Sequence, residues 1–293
     1  MKKFTPMLLG LSLSAASLLP AVAHAQSTTD DSAHKYLQVI VEYTKPDKGG
    51  LAHDKTEGAF VQAMIKAKFP IHYTAYNSLT GQPRAIYLSS FDSFDELDKA
   101  NKTMAAPATA AEFERLNLAD GELLESTKSL IFESVPELSF HSRKAGPEAR
   151  FLEAQIIQLR PGHVKDFEDL AKMVVAVDEK IGSSSHWGAY RIRFGEQAGS
   201  YVLLTAANSM ADFDQIFGEQ PKYMESLSDG DKKKMNELRA AAIESSHSEL
   251  YSVNPVQSYV REDWIKADPD FWKPKHTAAP ASKPASADKK TTP

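Results

Sequence analysis

The chain has 293 residues, a formal net charge of −5 and no cysteine. The lack of cysteine excludes disulfides, thiolate catalysis, cysteine-bound zinc, iron–sulfur clusters and lipid attachment at an N-terminal cysteine. The acidic balance argues against a nucleic-acid partner, and more so once Lys2 and Lys3 are removed with the leader described next.

Residues 1–25 form a signal peptide by pattern. A positive start is followed by the apolar "MLLGLSLSAASLLPAVA", and then by the small-x-small "AHA" at Ala23–Ala25. Cleavage is expected before Gln26, leaving residues 26–34 as a short leader and the protein periplasmic or secreted. A membrane anchor is the other reading. It is opposed by Pro20 and by the polar "QSTTDDSAHK" that follows, and no second segment is apolar enough to span a bilayer.

The first strand is expected at 36–44, "YLQVIVEYT", with Glu42 as a polar position for which two directions stand open, into a barrel or toward water. A helix follows at 54–69, with Asp54 and Glu57 as a capping pair and Phe60, Val61, Met64 and Ile65 as its buried side. "KPDKGG" at 45–50 is no nucleotide loop. A second strand at 71–76, "IHYTAY", leads through the turn-rich "TGQP" (80–83) into a third that runs on to "YLSSFDSFDEL" (87–97). Ser93 with Glu96, and Thr109 with Glu112, read as helix starts. The last strand lies within 125–140, "ESTKSLIFESVPELSF".

The same order then returns. "FLEAQIIQL" (151–159) contains the polar Gln155 and Gln158, with Arg160 after it. The helix "GHVKDFEDLAKMVVAVDEKIG" (162–182) has an apolar stripe from Val164 through Phe167, Leu170, Val174 and Val177 to Ile181. "SHWGAY" (185–190), the turn "GEQAG" (195–199), "LLTAANSMADF" (203–213) with Ser209 and Asp212, and a helix through Met235, Leu238, Ala242 and Ile243 follow. "ESSHSELYSVNPVQSY" (244–259) matches 125–140 without a gap, pairing Glu125 with Glu244, Ser139 with Ser258, and Phe140 with Tyr259. Four matched elements in one order read as an internal duplication, with repeats at 35–145 and 150–262. Trp264, Phe271 and Trp272 are expected to pin the chain's exit onto the fold. The exit segment and tail span 263–293; from Lys273 the Pro-, Ala- and Lys-rich composition cannot order itself.

Each repeat reads β-α-β-β-α-β with an extra helix before the last strand, the ferredoxin-like pattern. Two such units can cover each other's bare sheet faces, so the fold class is α+β, two repeats pairing as an intramolecular, pseudo-dimeric α+β barrel. Over roughly residues 35–262 the repeat order resembles the dimeric α+β barrel superfamily. That superfamily includes antibiotic-biosynthesis-type monooxygenases, NIPSNAP-like proteins, and the haem-binding chlorite dismutases and dye-decolourising peroxidases. The resemblance is architectural and brings no catalytic motif with it.

Alternation along a second strand sends His72, Thr74 and Tyr76 to one face, and His186, Gly188 and Tyr190 to one face in the other copy. These two His–Tyr pairs, His72 with Tyr76 and His186 with Tyr190, are the candidate ligand-binding residues. Two readings stand side by side: packing copied with the fold, or a site facing the barrel interior, where a histidine can move a proton and a tyrosine can donate a hydrogen bond. Arg191 and Arg193 read as a solvated face or an anion contact, and His247 shares a face with Glu249 without a counterpart in the first repeat. No metalloprotease helix, phosphate loop or nucleophile elbow is present, and the histidines lack metal-ligand spacing. The functional expectation is binding of a small apolar or aromatic molecule by a monomer or weak homodimer, with no cofactor. A cofactor-independent monooxygenase or isomerase is the alternative. Haem, with one histidine as axial ligand, is implied by the resemblance alone.

Overall fold

In a computed structural model the described residues are 34–142 and 146–273. The expected signal peptide, most of the expected leader and the residues beyond Lys273 lie outside them. Among the described residues no helix is long and apolar enough to cross a membrane.

The first half runs β1 (Tyr36–Thr44), α1 (Leu51–Ala67), β2 (Tyr73–Ser78), β3 (Arg84–Phe91), α2 (Phe94–Met104), α3 (Ala110–Gly121) and β4 (Leu124–Ser134). The second runs β5 (Phe151–Leu159), α4 (Val164–Ile181), β6 (Gly188–Phe194), β7 (Ser200–Ala207), α5 (Met210–Gly218), α6 (Gln220–Ser226), α7 (Asp229–Ala242) and β8 (Ile243–Val253). Two short helices, α8 (Glu262–Ala267) and α9 (Pro269–Trp272), follow. The eight strands close into an antiparallel barrel in the order β1-β3-β2-β8-β5-β7-β6-β4. The fold class expected from the repeat pattern is therefore the one observed.

The barrel closes by exchange. The last strand of each half pairs with the second strand of the other, Ser134 opposite Tyr190 and Val253 opposite Tyr76. Past the strand ends, Phe140 bridges Trp187 and Tyr259 bridges Tyr73. The Ser139 hydroxyl accepts the Ala189 N–H, and the Ser258 hydroxyl accepts the Ala75 N–H, each at 2.9 Å. The matched residues of 125–140 and 244–259 thus make matched bonds. These bonds satisfy backbone groups that would otherwise be buried unpaired.

Alternation sorts the side chains into two layers. Val39, Val41, Tyr76, Ile86, Phe132, Leu152, Tyr190 and Tyr251 meet inside the barrel. Outside it, α1 to α3 cover one half-sheet around Phe91, Phe113 and Tyr259. The helices α4 and α7 cover the other, around Phe167 and Tyr201 and around Leu170 and Met235. One end of the barrel is filled by a polar chain. Arg84 is ion-paired with Glu249, its Nε donates to the Tyr251 hydroxyl at 3.0 Å, and that hydroxyl donates to Glu249 at 2.5 Å.

Several local expectations are corrected. The helix α1 begins at Leu51, after Gly50 at φ 64°, so Asp54 and Glu57 lie inside it and form no capping pair. Its buried face is His53, Glu57, Val61 and Met64, while Ile65 is exposed. Glu42 points to the helix layer, opposite in phase to Val41. Thr109 spends its hydroxyl on the Thr103 and Met104 carbonyls and caps nothing. By contrast, Ser93 accepts the Glu96 N–H and Ser209 forms a capping box with Asp212. Arg191 and Arg193 both pair with Glu133, and Gln158 is bonded to the 195–199 turn through the Ala198 carbonyl.

Candidate functional site

At the end of the barrel where β1, β2, β5 and β6 begin, the packing leaves a cavity of about 340 Å³. All four residues of the repeated His–Tyr pairs line it. Leu37, Leu88, Leu152 and Leu204 add apolar wall from four further strands. Val260 and Arg261, which lead into α8, and Trp264 on α8 itself line it further. The exit aromatics do pin the chain to the barrel: Trp272 is buried in the interior cluster, and its indole donates to the Pro147 carbonyl at 2.9 Å. Phe271 is covered by the Arg150 guanidinium at 3.7 Å.

The cavity lies where the two halves meet because each second strand is short. β2 starts at Tyr73 and β6 at Gly188, with Trp187 bridged to Phe140 just before it, so His72 and His186 stand outside the strands and line the cavity. Gly188 occupies the place of Thr74. A methyl group there would come within 2.9 Å of the Tyr190 ring, so the glycine lets that ring lie against its own strand. Burial raises the pKa of both Tyr76 and Tyr190, which keeps their hydroxyls protonated as donors.

The two histidines are not alike. His186 donates from Nε2 to the Ala206 carbonyl at 2.7 Å, and its Nδ1 is 3.4 Å from the Ser184 carbonyl. Both nitrogens face the backbone, so His186 ties the start of β6 to the end of β7. His72 stacks on Tyr259 with ring centroids 4.5 Å apart. Among the described residues its nitrogens make no hydrogen bond. Burial, then the charge of Arg261, hold it below the ordinary histidine pKa against the pull of Asp263. A neutral imidazole with a free nitrogen therefore faces the cavity in one copy only.

The sequence reading did not single out Arg261 or Trp187 as cavity residues, nor a second polar assembly outside the barrel. There His53 approaches Glu42 at 3.1 Å and Asp120 at 3.5 Å, with Glu57 beside them. His53 and Glu57 are four residues apart on α1, a spacing that does signal one helix face.

No protein-family model and no curated protein sequence matches the chain. Among solved structures it is similar to an anthrone oxidase-like protein, 12% identical, with 79% of this chain and 96% of that one covered and a TM-score of 0.50. A candidate monooxygenase from Fusobacterium nucleatum subsp. nucleatum is 11% identical, over 75% of this chain and 93% of its own, with a TM-score of 0.51. At such identities the likeness is one of fold, the α+β barrel of ferredoxin-like halves.

Proposed function

We propose that this chain binds a small, planar, largely apolar molecule in the cavity at the barrel end, outside the cytosol after loss of residues 1–25. We also infer that its two halves arose by duplication, which the matched bonds of Ser139 and Ser258 support. The observation that carries the binding reading is the cavity itself. It has about 340 Å³ of space, within the range of roughly 300–1,000 Å³ typical of ligand sites. Tyr76, Tyr190, Trp187 and Trp264 offer ring faces, and Arg261 and His72 offer a few convergent polar atoms. That composition suits an aromatic body carrying an anionic or hydrogen-bonding group.

The test uses 1-anilinonaphthalene-8-sulfonate, an aromatic anion whose fluorescence rises in apolar sites. The chain from Gln26 should bind it saturably, one to one. Leu204→Phe, which grows into the cavity, should weaken binding at least tenfold without lowering the unfolding midpoint. Equal binding by both proteins, or none by either, would sink the reading.

A second reading rests on His72. Its neutral, unbonded imidazole could take a proton from an acidic C–H or phenol, with Tyr76 or Tyr190 donating to the oxyanion that forms. Anthrone, the compound in the name of one structural neighbour, is the probe: anthrone and dioxygen give anthraquinone and water with dioxygen as oxidant. Oxidation above the uncatalysed rate that is lost in His72→Gln and kept in His186→Gln supports catalysis; no acceleration removes it. Haem fits these residues poorly. A proximal histidine puts one nitrogen on iron and has the other held by an acceptor. His186 has both nitrogens on carbonyls, and His72 lies flat on Tyr259 with no such acceptor among the described residues.

A further inference from the structure

The two halves differ most in the layer between the first strand and its helix. Strand register places Ile157 where the first half has Glu42, since Val41 faces Ile86 as Ile156 faces Val202. The left-handed caps Lys68 and Gly182 align α1 with α4 and place Phe167 where His53 stands and Ala171 where Glu57 stands. In the second half this layer is a dry cluster: Ile157, Phe167 and Ala242 pack with Val135 and Leu138. In the first half, Asn254 and Gln257 replace those last two by the same alignment that pairs Ser139 with Ser258. The fold therefore does not require polar groups here.

What the first half holds instead is a convergent donor set. Nε2 or Nδ1 of His53 and one carboxylate oxygen each of Glu42, Glu57 and Asp120 all lie within 4.8 Å of one another. They come from β1, α1 and α3, so the tertiary fold brings them together. His53 is 2% exposed, Asp120 3% and Glu57 5%. No lysine or arginine pairs with any of them among the described residues. Glu57, buried and turned into the set, has no lysine or arginine partner among the described residues, and the Tyr87 hydroxyl hydrogen-bonds its carboxyl. Two buried carboxylates and a third at the partly open edge crowd one imidazole, an arrangement that an apolar core would avoid at no loss of packing.

We propose that Glu42, His53, Glu57 and Asp120 bind a divalent first-row transition ion, of the manganese, iron or zinc class. One imidazole nitrogen with three carboxylate oxygens is a mixed set that suits these ions better than calcium or magnesium, which prefer oxygen alone. Bonds of about 2.1 Å put ligands roughly 3.4 Å apart in a tetrahedron and at most roughly 4.2 Å apart across an octahedron, so closing the set takes a contraction of its widest pair by at most about 0.6 Å for an octahedron and about 1.4 Å for a tetrahedron. Around it stands a second ring. Thr56 donates to Asp120 at 2.5 Å, and Gln257 lies 3.4 Å from His53 Nδ1 and donates to Asp54 at 3.0 Å. Such partners hold ligands in place. Glu42, with 15% of its side chain exposed, marks the side from which an ion enters.

The experiment is calorimetric titration of the chelator-stripped chain with Mn²⁺, Zn²⁺ and Mg²⁺ separately, with Co²⁺ absorption as a reporter of ligand geometry. The expected result is one saturable site for Mn²⁺ or Zn²⁺, at least tenfold weaker binding of Mg²⁺, and visible bands with Co²⁺. The double variant His53→Phe, Glu57→Ala, which copies the second half, should keep the fold and lose the site. Glu42→Gln, a milder change at the partly open edge, should weaken binding at least tenfold. Absence of a saturable site for all three ions overturns the proposal, and so does unchanged affinity in Glu42→Gln or in the double variant.

Discussion

Ser258→Ala probes the device that holds the exchanged strands. The Ser258 hydroxyl accepts the Ala75 N–H at 2.9 Å and donates to the Asn254 carbonyl at 2.7 Å. Ala75 is fully buried and Ser258 nearly so, which leaves no water to replace the lost oxygen. An orphaned buried amide costs about 1–3 kcal/mol, and in a domain of this size each kcal/mol lowers Tm by about 2–4 °C. The expected fall is therefore about 2–12 °C. Ser139→Ala removes the matching bond to Ala189, at 2.9 Å, and should cost a similar amount. The two serines share no partner, so the double variant should lose the sum to within about 0.5 kcal/mol. Urea unfolding followed by the fluorescence of Trp187, Trp264 and Trp272 measures all three variants. A Ser258→Ala protein within about 0.5 kcal/mol of the parent would show that β2 is held by its ladder alone. That result would refute the reasoning.

Asp178 has a folded pKa of about 6, raised by burial and then by Glu219 against a hydrogen bond from Ser183. The folded state thus holds its proton more tightly than the unfolded chain, and stability falls as pH rises from about 4 to about 6, by at most roughly 3 kcal/mol. Asp178→Asn should raise Tm at pH 7.5 and leave it unchanged near pH 3.5; an equal effect at both would contradict this origin. Lys68, at φ 51°, ends α1 in the left-handed region where Gly182 ends α4. Lys68→Gly should therefore stabilise by about 0.5–1 kcal/mol net of the unfolded-state entropy, read by the same urea unfolding. Arg84→Met strands Glu249 at the filled barrel end and should cost about 3 kcal/mol. Adding Glu249→Gln should recover part of that loss, and a strictly additive double variant would show that the pair is not coupled.

The barrel was legible because its instructions are local and repeated. Ser139, Phe140, Ser258 and Tyr259 stand at the same step of two matched segments, and alternation along a strand puts His72 with Tyr76 and His186 with Tyr190 whatever the chemistry. What escaped was decided by contacts between elements. Asp54-x-x-Glu57 has the spacing of a capping pair, and only the earlier turn at Gly50 carries both residues into the body of α1. His53 and Glu57 look like a solvated helix face, since a sequence does not show that β1 turns Glu42 and α3 turns Asp120 toward them. The difference between His72 and His186 is equally hidden. It depends on whether a carbonyl, that of Ala206, happens to stand across the mouth.

That difference also shows how a nearly symmetric barrel comes to have an asymmetric cavity lining. Two identical halves would offer two identical mouth residues, and each histidine would face the same surroundings. A single chain has only one exit, however, and here it leaves past Tyr259 into Val260, Arg261 and Trp264, all of which line the cavity. The matching point in the first half is the linker at His141 and Ser142, of which only Ser142 reaches the cavity. Arg261 therefore acts on His72 alone, and Tyr259 stacks on His72 while its counterpart Phe140 packs against Trp187. Covalent joining of the halves thus supplies the asymmetry that the proposed binding of an asymmetric molecule needs. The same asymmetry reappears outside the barrel, where one half keeps an apolar layer and the other a ring of ionisable groups.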